Sequence, residues 1–420
     1  MERKQISKSL FPKKFLWGAS TASHQVEGGT FNQWTVWELS QASELSKSAE
    51  NIYKDFPSWP DIKSKAEDPN NYVSGMGVDH YRRYKEDFDL LKELNLNSFR
   101  FSIEWSRIEP KEGEWDEAEV EHYRTYIQEL KNRDITPILN IWHWTMPTWF
   151  TDKGGFKNRK NIQYFTRFVD KVAKEFCGDL EYVITINEPN VYGSLSYLTG
   201  EWPPQERSFV SFFKVYLHLV IAHKKSYKIL KTVNPKLNIG IAAQLANIQA
   251  KRPHNVIDGI STKLMRYFWN WWFLRRIRKY QDFLGINYYF TDYYAGLFKR
   301  RNPKVPLNDM GWYMEPEGLY PILLRAFTRY KKPIIITENG LADHEDQFRR
   351  WWIEETIVAM ERALSEGVDI IGYLHWSLLD NFEWDKGWWP KFGLIEVDRS
   401  NMSRTIRPSA KWFAEKITKL

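Results

Sequence analysis

The segment PIIITENG, residues Pro333–Gly340, is a run of apolar β-branched residues that ends in a glutamate, Glu338. A second segment, YVITINEPN, residues Tyr182–Asn190, has the same form and ends in Asn187 and Glu188. A buried strand normally ends in turn-forming residues and does not require a carboxylate at its tip. Two such strand ends predict a pair of carboxyl groups that the fold brings together in space.

Apolar β-rich runs recur along the whole chain, and helical patterns lie between them. We predict eight strands, over Phe15–Ser20, Ser98–Trp105, Thr136–Trp144, Tyr182–Glu188, Asn238–Gln244, Asp282–Tyr289, Pro333–Asn339 and Ile370–Ser377. Several runs are continuously apolar, which is typical of a parallel sheet covered on both faces. This alternation in 420 residues predicts an α/β fold, a (β/α)8 TIM barrel that occupies residues 1–420 as a single domain.

A barrel of this kind carries its active site at the carboxyl ends of the strands. Polar and aromatic residues are dense at these ends: His143, Trp144, Asn187, Glu188, Asn287, Tyr289, Glu338 and Trp376, with Glu383 and Trp384 in the loop after the last strand. A carboxylate pair can break a glycosidic bond with retention when the groups lie about 5–5.5 Å apart, and with inversion when they lie further apart. The sequence leaves this separation open.

The neighbours of the two glutamates suggest separate roles. Glu338 must be ionised to attack a sugar, and Arg100 and Tyr289 lie on predicted strands where they can donate hydrogen bonds to it. Glu188 must begin protonated, in a dry pocket beside aromatic residues such as Trp144, and it ionises to activate water once a covalent intermediate has formed. We expect the side chain of Asn187 to point away from that of Glu188 unless a bulge intervenes.

The composition fits a large core and a site for sugars. Hydrophobic residues make up 43% of the chain, which includes 21 Trp, 22 Tyr and 25 Phe, and aromatic faces pack on the C–H faces of sugar rings. The net charge is +7, and basic residues are interspersed with acidic ones, as in Arg82–Asp89. We therefore expect a solvated surface and no nucleic-acid partner.

The sequence also bears on the compartment. The one cysteine, Cys177, excludes an intrachain disulfide, residues 1–15 lack the apolar core of a secretory signal, and no apolar run reaches membrane-spanning length. We expect a cytoplasmic protein with no membrane partner, and the oligomeric state stays open. Because no residues have the clustered spacing of metal ligands, we expect no metal and no other cofactor.

Seven segments occur in the order TASHQVEGG, RFSIEWSRI, HWTMP, TINEPN, DFLGINYY, ITENG and WSLLDNFEW. Together they resemble glycoside hydrolase family 1, the β-glucosidase family, and the likeness runs from Phe15 to about Lys411. The resemblance implies that Glu188 is the acid/base and Glu338 the nucleophile. It implies that Gln25, His143, Asn187, Glu383 and Trp384 bind the sugar, that Trp376 stacks on it, that Tyr289 and Arg100 contact the nucleophile, and that Trp312 forms a wall of the leaving-group site. We group Trp144 with these substrate-binding residues because its ring is predicted beside Glu188. We assign supporting positions to Arg100, Asn287, Asn381 and Phe392.

Two residues indicate the subgroup. Family members that act on 6-phosphoglycosides replace the glutamate of the last loop, so Glu383 favours an unphosphorylated sugar. Plant thioglucosidases of the family replace the acid/base, so Glu188 favours O-glycosides. We predict a retaining, exo-acting β-glycosidase, most simply a β-glucosidase that also accepts galactosides or fucosides, acting on small β-glycosides and short oligosaccharides.

Two alternatives stay open. An endo-acting glycanase of a related barrel family is disfavoured by Gln25, Glu383 and Trp384, which would close the pocket around a terminal sugar. A non-catalytic sugar-binding barrel is disfavoured because binding alone does not require both Glu188 and Glu338.

The segment MRYFWNWWFLRRIRKY, residues Met265–Tyr280, combines aromatic residues with four arginines. Such a mixture is found in membrane-surface and nucleic-acid patches, but it is also found in packed barrel helices. We favour a barrel helix with a packing role.

Overall fold

The computed structural model describes residues 10–420. Eight parallel strands form a closed barrel in the order β1-β8-β7-β6-β5-β4-β3-β2. The strands are β1 Leu16–Ser20, β2 Ser98–Ser102, β3 Thr136–Asn140, β4 Tyr182–Asn187, β5 Asn238–Gln244, β6 Leu284–Tyr288, β7 Ile334–Asn339 and β8 Ile370–Trp376. The predicted (β/α)8 barrel is confirmed. Two predictions extend to residues 1–9, namely the single domain over residues 1–420 and the lack of a secretory signal. Residues 1–9 lie outside the described residues.

The strands are apolar on both faces because each face packs against a different partner. Ile138, Ile184 and Ile335 belong to a small apolar cluster inside the barrel, whereas their neighbours Leu139 and Val183 belong to the large cluster shared with the helices. Successive side chains of a strand point to opposite faces, so a continuous apolar run fills both layers.

Helices surround the barrel, and their capping residues show why they begin where they do. Asn32 accepts hydrogen bonds from two backbone N–H groups at the start of the helix Gln33–Tyr53. Asp116 accepts two in the same way at the start of the helix Glu117–Asn132. The longer helices are Gln33–Tyr53, Trp59–Ala66, His80–Glu93, Glu117–Asn132, Ile162–Phe176, Phe209–Val233, Val256–Arg266, Trp272–Ile277, Leu319–Tyr330, Arg349–Ser365 and Pro408–Ile417.

Shorter elements complete the connections. Single-turn helices cover Ser23–Val26, Pro69–Tyr72, Trp105–Ile108, Thr148–Asp152, Gly155–Lys157, Arg159–Asn161, Pro189–Gly193, Pro316–Gly318 and Trp384–Lys386, and π-helical turns cover Ser194–Thr199 and Tyr267–Trp271. Outside the barrel, short strands cover Asn247–Ala250, Thr291–Ala295, Lys299–Arg300, Ile395–Asp398 and Ser403–Ile406.

Two strand ends were predicted three or four residues too late in the chain, and three others one residue too late. β2 ends at Ser102 rather than Trp105, because the Glu104 side chain accepts a hydrogen bond from the backbone of Ser106 and begins a short helix. β3 ends at Asn140 rather than Trp144, whose backbone is left-handed with φ 75°. Such a backbone cannot continue a strand.

The segment Met265–Tyr280 is helical, as predicted. It combines the end of the helix Val256–Arg266, the π-helical turn Tyr267–Trp271 and the helix Trp272–Ile277. Trp271, Trp272, Phe273, Leu274 and Ile277 of this segment are buried, so the packing role is confirmed for them. Among residues 10–420, none of the helices combines the length and the apolar character that crossing a bilayer requires.

Candidate active site

The two glutamates lie at the carboxyl ends of β4 and β7, which are separated in the barrel by β5 and β6. Glu338 is the fifth residue of β7, and Glu188 directly follows β4 in a left-handed conformation with φ 40° and ψ 62°. The pairing of β4 with β5 shifts register between Ile184 and Asn187. We expected the side chains of Asn187 and Glu188 to point apart unless a bulge intervened. This register shift is such an irregularity, and both side chains turn toward Asn287.

Two donors contact the carboxyl group of Glu338. The Arg100 guanidinium forms a buried ion pair with Oε1 of Glu338, and the Tyr289 hydroxyl donates a 2.6 Å hydrogen bond to Oε2. Arg100 also donates a 2.6 Å hydrogen bond to Oδ1 of Asn187. A buried charge persists only when it is paired and hydrogen-bonded, and the predicted donors meet that requirement.

Glu188 has the opposite environment. It is buried, and the amide of Asn287 donates a 2.8 Å hydrogen bond to its Oε1. Burial raises the pKa of Glu188 well above its ordinary value, and the negative charge of Glu338 raises it further, whereas the Asn287 hydrogen bond and the Arg100 charge lower it. A carboxyl group in this setting keeps its proton to higher pH than usual, as a general acid requires.

The far end of the site is built from the loop after β8 and the loop after β1. Nε2 of Gln25 lies 2.7 Å from the carbonyl oxygen of Phe382, 3.1 Å from Oδ1 of Asn381 and 3.4 Å from Oε2 of Glu383. The buried Oε1 of Gln25 accepts no hydrogen bond from residues 10–420. It is therefore free to accept one from a ligand hydroxyl.

Glu383 is a second carboxyl group with a raised pKa. Burial, the nearby charge of Asp385 and the charge of Glu338 raise its pKa to about 8, against the weaker lowering effects of Lys386 and the Gln25 hydrogen bond. At neutral pH this group is largely protonated, so it can donate as well as accept hydrogen bonds.

His143 bridges two amides at the base of the site. Its Nε2 lies 3.0 Å from Nδ2 of Asn187, and its Nδ1 lies 3.0 Å from Nδ2 of Asn140. Burial and the charge of Arg100 hold the pKa of His143 well below its ordinary value. The ring is therefore neutral and acts as a hydrogen-bonding group, not as a cation.

Aromatic rings enclose the site on two sides. Trp376 and Trp384 each stack on His143, with centroid distances of 5.8 and 6.0 Å, and Trp144 packs on Trp384 at 4.9 Å. Trp144 also donates a 2.9 Å hydrogen bond to the carbonyl oxygen of Asn187. The Trp144 ring, which was predicted to lie near Glu188, is thus fixed beside Asn187.

A second aromatic group lies toward the mouth. Trp312 contacts Tyr289 at 5.8 Å and Phe392 at 6.2 Å between ring centroids. Tyr289 and Phe392 are themselves 6.3 Å apart. Trp312 is partly exposed, so it is available as a wall for a leaving group, and Phe392 supports it from behind.

Two residues of the site were not foreseen. The buried His24 ring stacks on Trp384 at 5.7 Å, and its Nε2 lies 2.6 Å from Oε1 of Glu38. Thr337 donates a 2.6 Å hydrogen bond to Oδ1 of Asn287. Both are adjacent to predicted site residues, His24 to Gln25 and Thr337 to Glu338, and that adjacency was the available signal.

Comparisons with known proteins agree with this arrangement. The model of glycosyl hydrolase family 1 matches residues 7–279 and 274–420. β-Glucosidase A of Acetivibrio thermocellus is 28% identical over 98% of this chain and 99% of its own length. The β-galactosidase of Sulfolobus acidocaldarius is 29% identical over 96% of this chain and 94% of its own length.

A solved structure agrees as well. The β-glycosidase from Pyrococcus horikoshii superposes with a TM-score of 0.84 at 33% identity, over 96% of this chain and 94% of that one. The catalytic barrel, the carboxyl pair and these likenesses over nearly the whole chain lead to one conclusion: the chain belongs to glycosyl hydrolase family 1.

Proposed function

We propose that this glycoside hydrolase is a retaining, exo-acting β-glycosidase that removes a terminal β-D-glucosyl residue, or a related galactosyl or fucosyl residue, by double displacement. The observation that carries the proposal is the contrast between its two buried glutamates. Glu338 is paired with Arg100 and Tyr289, whereas burial and the charge of Glu338 raise the pKa of Glu188. One carboxyl group is therefore prepared to attack and the other to give up a proton.

In the first step, a carboxylate oxygen of Glu338 forms a bond to the anomeric carbon. The bond from that carbon to the glycosidic oxygen breaks, and the electron pair stays on the departing oxygen. Glu188 transfers its proton to this oxygen, so the aglycone leaves as a neutral alcohol.

In the second step, a water molecule replaces the aglycone. The ester at Glu338 no longer carries a negative charge, so the second-largest cause of the raised pKa of Glu188 is gone. Glu188, now ionised, accepts a proton from the water as its oxygen bonds to the anomeric carbon. The Glu338 carboxylate leaves, and Arg100 and Tyr289 again hold its charge.

The closed end of the site favours exo-action over the endo-acting alternative. Gln25 and the Trp384 ring are buried beyond the carboxyl pair, and Glu383 is half-buried beside them, which supports room for one terminal sugar there. The hydrogen-bonded state of Glu338 also favours catalysis over a non-catalytic sugar-binding barrel, because binding alone has no use for a nucleophile next to a protonated acid.

The finer expectations form part of the proposal. We assign substrates that are unphosphorylated β-glycosides and short oligosaccharides, a cytoplasmic location, one domain over residues 1–420, and a mechanism in which carboxyl groups do the chemistry without a cofactor. The strands from Leu16 to Trp376, which close on one another, support the single-domain arrangement.

A panel of nitrophenyl glycosides tests the proposal directly. We expect turnover of the β-D-glucoside, weaker turnover of the β-D-galactoside and β-D-fucoside, and none of the α-D-glucoside. The variants Glu188→Gln and Glu338→Gln should fold normally and lose most of this activity. Wild-type protein that is inactive on every β-glycoside, or that prefers internal bonds of long glucans, would contradict it.

A further inference from the structure

The helix Val256–Arg266 has its polar and apolar faces reversed. Its buried residues are Asp258, Ser261 and Thr262, whereas the side chains that point outward include Val256, 74% exposed, and Ile260, 57% exposed. A surface helix ordinarily turns its apolar face to the core. Here the apolar face is presented outward.

The exposed apolar residues form a continuous row. Ile257, Ile260, Leu264 and Phe268 are exposed, and their spacing of three or four residues places them along one side of the helix and the turn that follows. Exposed apolar residues that occur singly need no explanation, but a contiguous group of this kind marks an interaction surface.

A hairpin tip extends the row and is fastened to the helix by buried polar contacts. The hydroxyl of Ser261 donates a 2.7 Å hydrogen bond to the carbonyl oxygen of Gly296, and the N–H of Gly296 donates one of 2.8 Å to Asp258. The next two residues, Leu297 and Phe298, are exposed. The polar face of the helix is therefore used to hold two further apolar side chains at the surface.

The positive charge of the chain is concentrated in this region. Residues 251–304 contain twelve Lys and Arg and three Asp, a net charge of +9, although the whole chain carries +7. Each of the three acids pairs with a basic residue: Asp258 with Arg252, Asp282 with Lys231 and Asp292 with Arg300. The interspersed charge expected from Arg82–Asp89 does not describe this part of the surface.

Exposed basic residues flank the apolar row directly. They are Lys251, Arg252, Lys263, Lys299, Arg300 and Arg301. Together with Val256, Ile257, Ile260, Leu264, Phe268, Leu297 and Phe298 they define what we name the basic–apolar face.

The basic–apolar face lies beside the mouth of the barrel. The strand Asn247–Ala250 begins three residues after β5, and the strand Thr291–Ala295 begins three residues after β6. These two strands pair with each other and carry the helix and the hairpin. The face is therefore built from the loops at the carboxyl ends of β5 and β6, on the same rim as the site.

We propose that the basic–apolar face docks this protein on the surface of an anionic lipid bilayer, with its apolar row inserted among the lipids and its basic residues against the head groups. Aliphatic and aromatic side chains that enter the boundary between head groups and acyl chains gain from leaving water, and flanking Lys and Arg gain from anionic lipid. Neither contribution requires a helix that spans the membrane.

Two other occupants fit less well. A nucleic acid matches the charge, but its backbone gains nothing from a row of aliphatic side chains such as Val256 and Ile260. A second copy of the chain matches the apolar row, but a two-fold interface would place the basic residues of one copy against those of the other. A bilayer with anionic lipid satisfies both halves of the face together.

Vesicle flotation with the full-length protein tests the proposal. We expect binding to phosphatidylcholine vesicles that contain about one-third phosphatidylglycerol and much weaker binding to phosphatidylcholine alone. The variant Ile260→Glu/Leu264→Glu should bind at least about tenfold more weakly. The variant Lys299→Glu/Arg301→Glu should show a similar loss. High salt should weaken the binding of the wild type in the same way.

A matched control separates the face from general charge effects. Leu39 and Val358 are exposed aliphatic residues on the helices Gln33–Tyr53 and Arg349–Ser365, so Leu39→Glu/Val358→Glu makes the same chemical change elsewhere. This control should keep wild-type binding, and thermal unfolding should show that all three variants are folded. A wild type that does not bind anionic vesicles, or binding that the control reduces equally, would overturn the proposal.

The same variants identify a different occupant. If the protein forms a dimer without lipid and Ile260→Glu/Leu264→Glu dissociates it, the face belongs to a second copy. If RNA or duplex DNA binds and only Lys299→Glu/Arg301→Glu weakens that binding, the face belongs to nucleic acid. Either result, without vesicle binding, rejects the bilayer.

Discussion

The side chain of Asn287 connects the two buried glutamates of the site: it donates a 2.8 Å hydrogen bond to Oε1 of Glu188 and accepts one of 2.6 Å from Thr337, the residue before Glu338. The hydrogen bond to Glu188 favours its ionised form and lowers its pKa. A single amide therefore positions the acid and limits how far burial raises its pKa.

Removal of that amide should change both rate and pH dependence. In Asn287→Ala, Glu188 loses its donor, so its pKa rises and the alkaline limb of kcat/KM moves to higher pH. We expect kcat to fall by about 10- to 100-fold, less than the 10²- to 10⁴-fold typical of losing the acid itself. Steady-state rates across pH on a nitrophenyl β-glucoside measure both effects. An alkaline limb that moves to lower pH would reject this role for Asn287.

Glu338 should carry the sugar covalently. A 2-deoxy-2-fluoro-β-glucoside with a good leaving group forms the intermediate faster than water resolves it, so the enzyme should gain one sugar. Peptide mapping by mass spectrometry should place the label on Glu338, and Glu338→Gln should take up none. NMR of the first product should show the β-anomer. A label on another residue, or an α-anomer, would contradict the retaining assignment.

The loss of Glu188 should depend on the leaving group. A sugar alcohol needs a proton to depart and a dinitrophenolate does not, so Glu188→Gln should lose far more activity on cellobiose than on the dinitrophenyl glucoside. Hydrolysis of the intermediate should also slow, because the base is gone, and added azide should restore turnover and give the β-glycosyl azide. Equal losses on both substrates with no azide effect would move the acid/base role to another residue.

Glu383 should make the folded protein less stable as the pH rises. Its pKa is about 8 in the folded protein against about 4.3 in an unfolded chain. The folded state therefore binds this proton more tightly, and the resulting stabilisation is present below the unfolded pKa and lost as the pH rises through about 8. Between pH 5 and pH 8 the wild type should lose on the order of a few kcal/mol more than Glu383→Gln.

Urea unfolding at several pH values measures this difference. The control is Glu44→Gln, because Glu44 is exposed on the helix Gln33–Tyr53. It should follow the wild-type curve. The assignment fails if Glu383→Gln and Glu44→Gln show the same pH dependence.

The enzyme should prefer unphosphorylated sugars, and the preference should grow with pH. An ionised Glu383 repels a phosphate, and this residue loses its proton as the pH passes about 8. We expect kcat/KM on a nitrophenyl β-glucoside to exceed that on the 6-phospho derivative at pH 9 by about tenfold or more, with a smaller ratio at pH 7, where Glu383 is largely protonated. A ratio near one, or one that falls with pH, would contradict this.

The barrel and the placement of Glu188 and Glu338 at strand ends follow from local sequence, whereas several details depend on distant partners. Continuous apolar runs such as Ile334–Ile336 predict strands buried on both faces. The turn at Trp144 depends on a left-handed backbone that no hydrophobic pattern encodes. The role of His24 depends on Glu38 and Trp384, and the second of these lies at the other end of the chain.

The helix Val256–Arg266 shows where pattern-based reasoning gives the opposite answer. A row of apolar residues at helical spacing, here Ile260, Leu264 and Phe268, normally predicts the buried face. The structure turns this row outward because Asp258 and Ser261 both form hydrogen bonds to the backbone of Gly296, in the hairpin that lies against the helix. A sequence pattern identifies the two faces of a helix but not which one the surrounding structure can satisfy.

The raised pKa of Glu383 should affect the enthalpy and the pH dependence of ligand binding. The Glu383 carboxyl group is largely protonated at neutral pH. A sugar mimic with a protonated nitrogen would stabilise the ionised form of this group by its positive charge. Binding of such a cation should therefore release the proton of Glu383 into the buffer. Its calorimetric heat should then vary with the ionisation enthalpy of the buffer, and its affinity should increase with pH until the ligand loses its own proton.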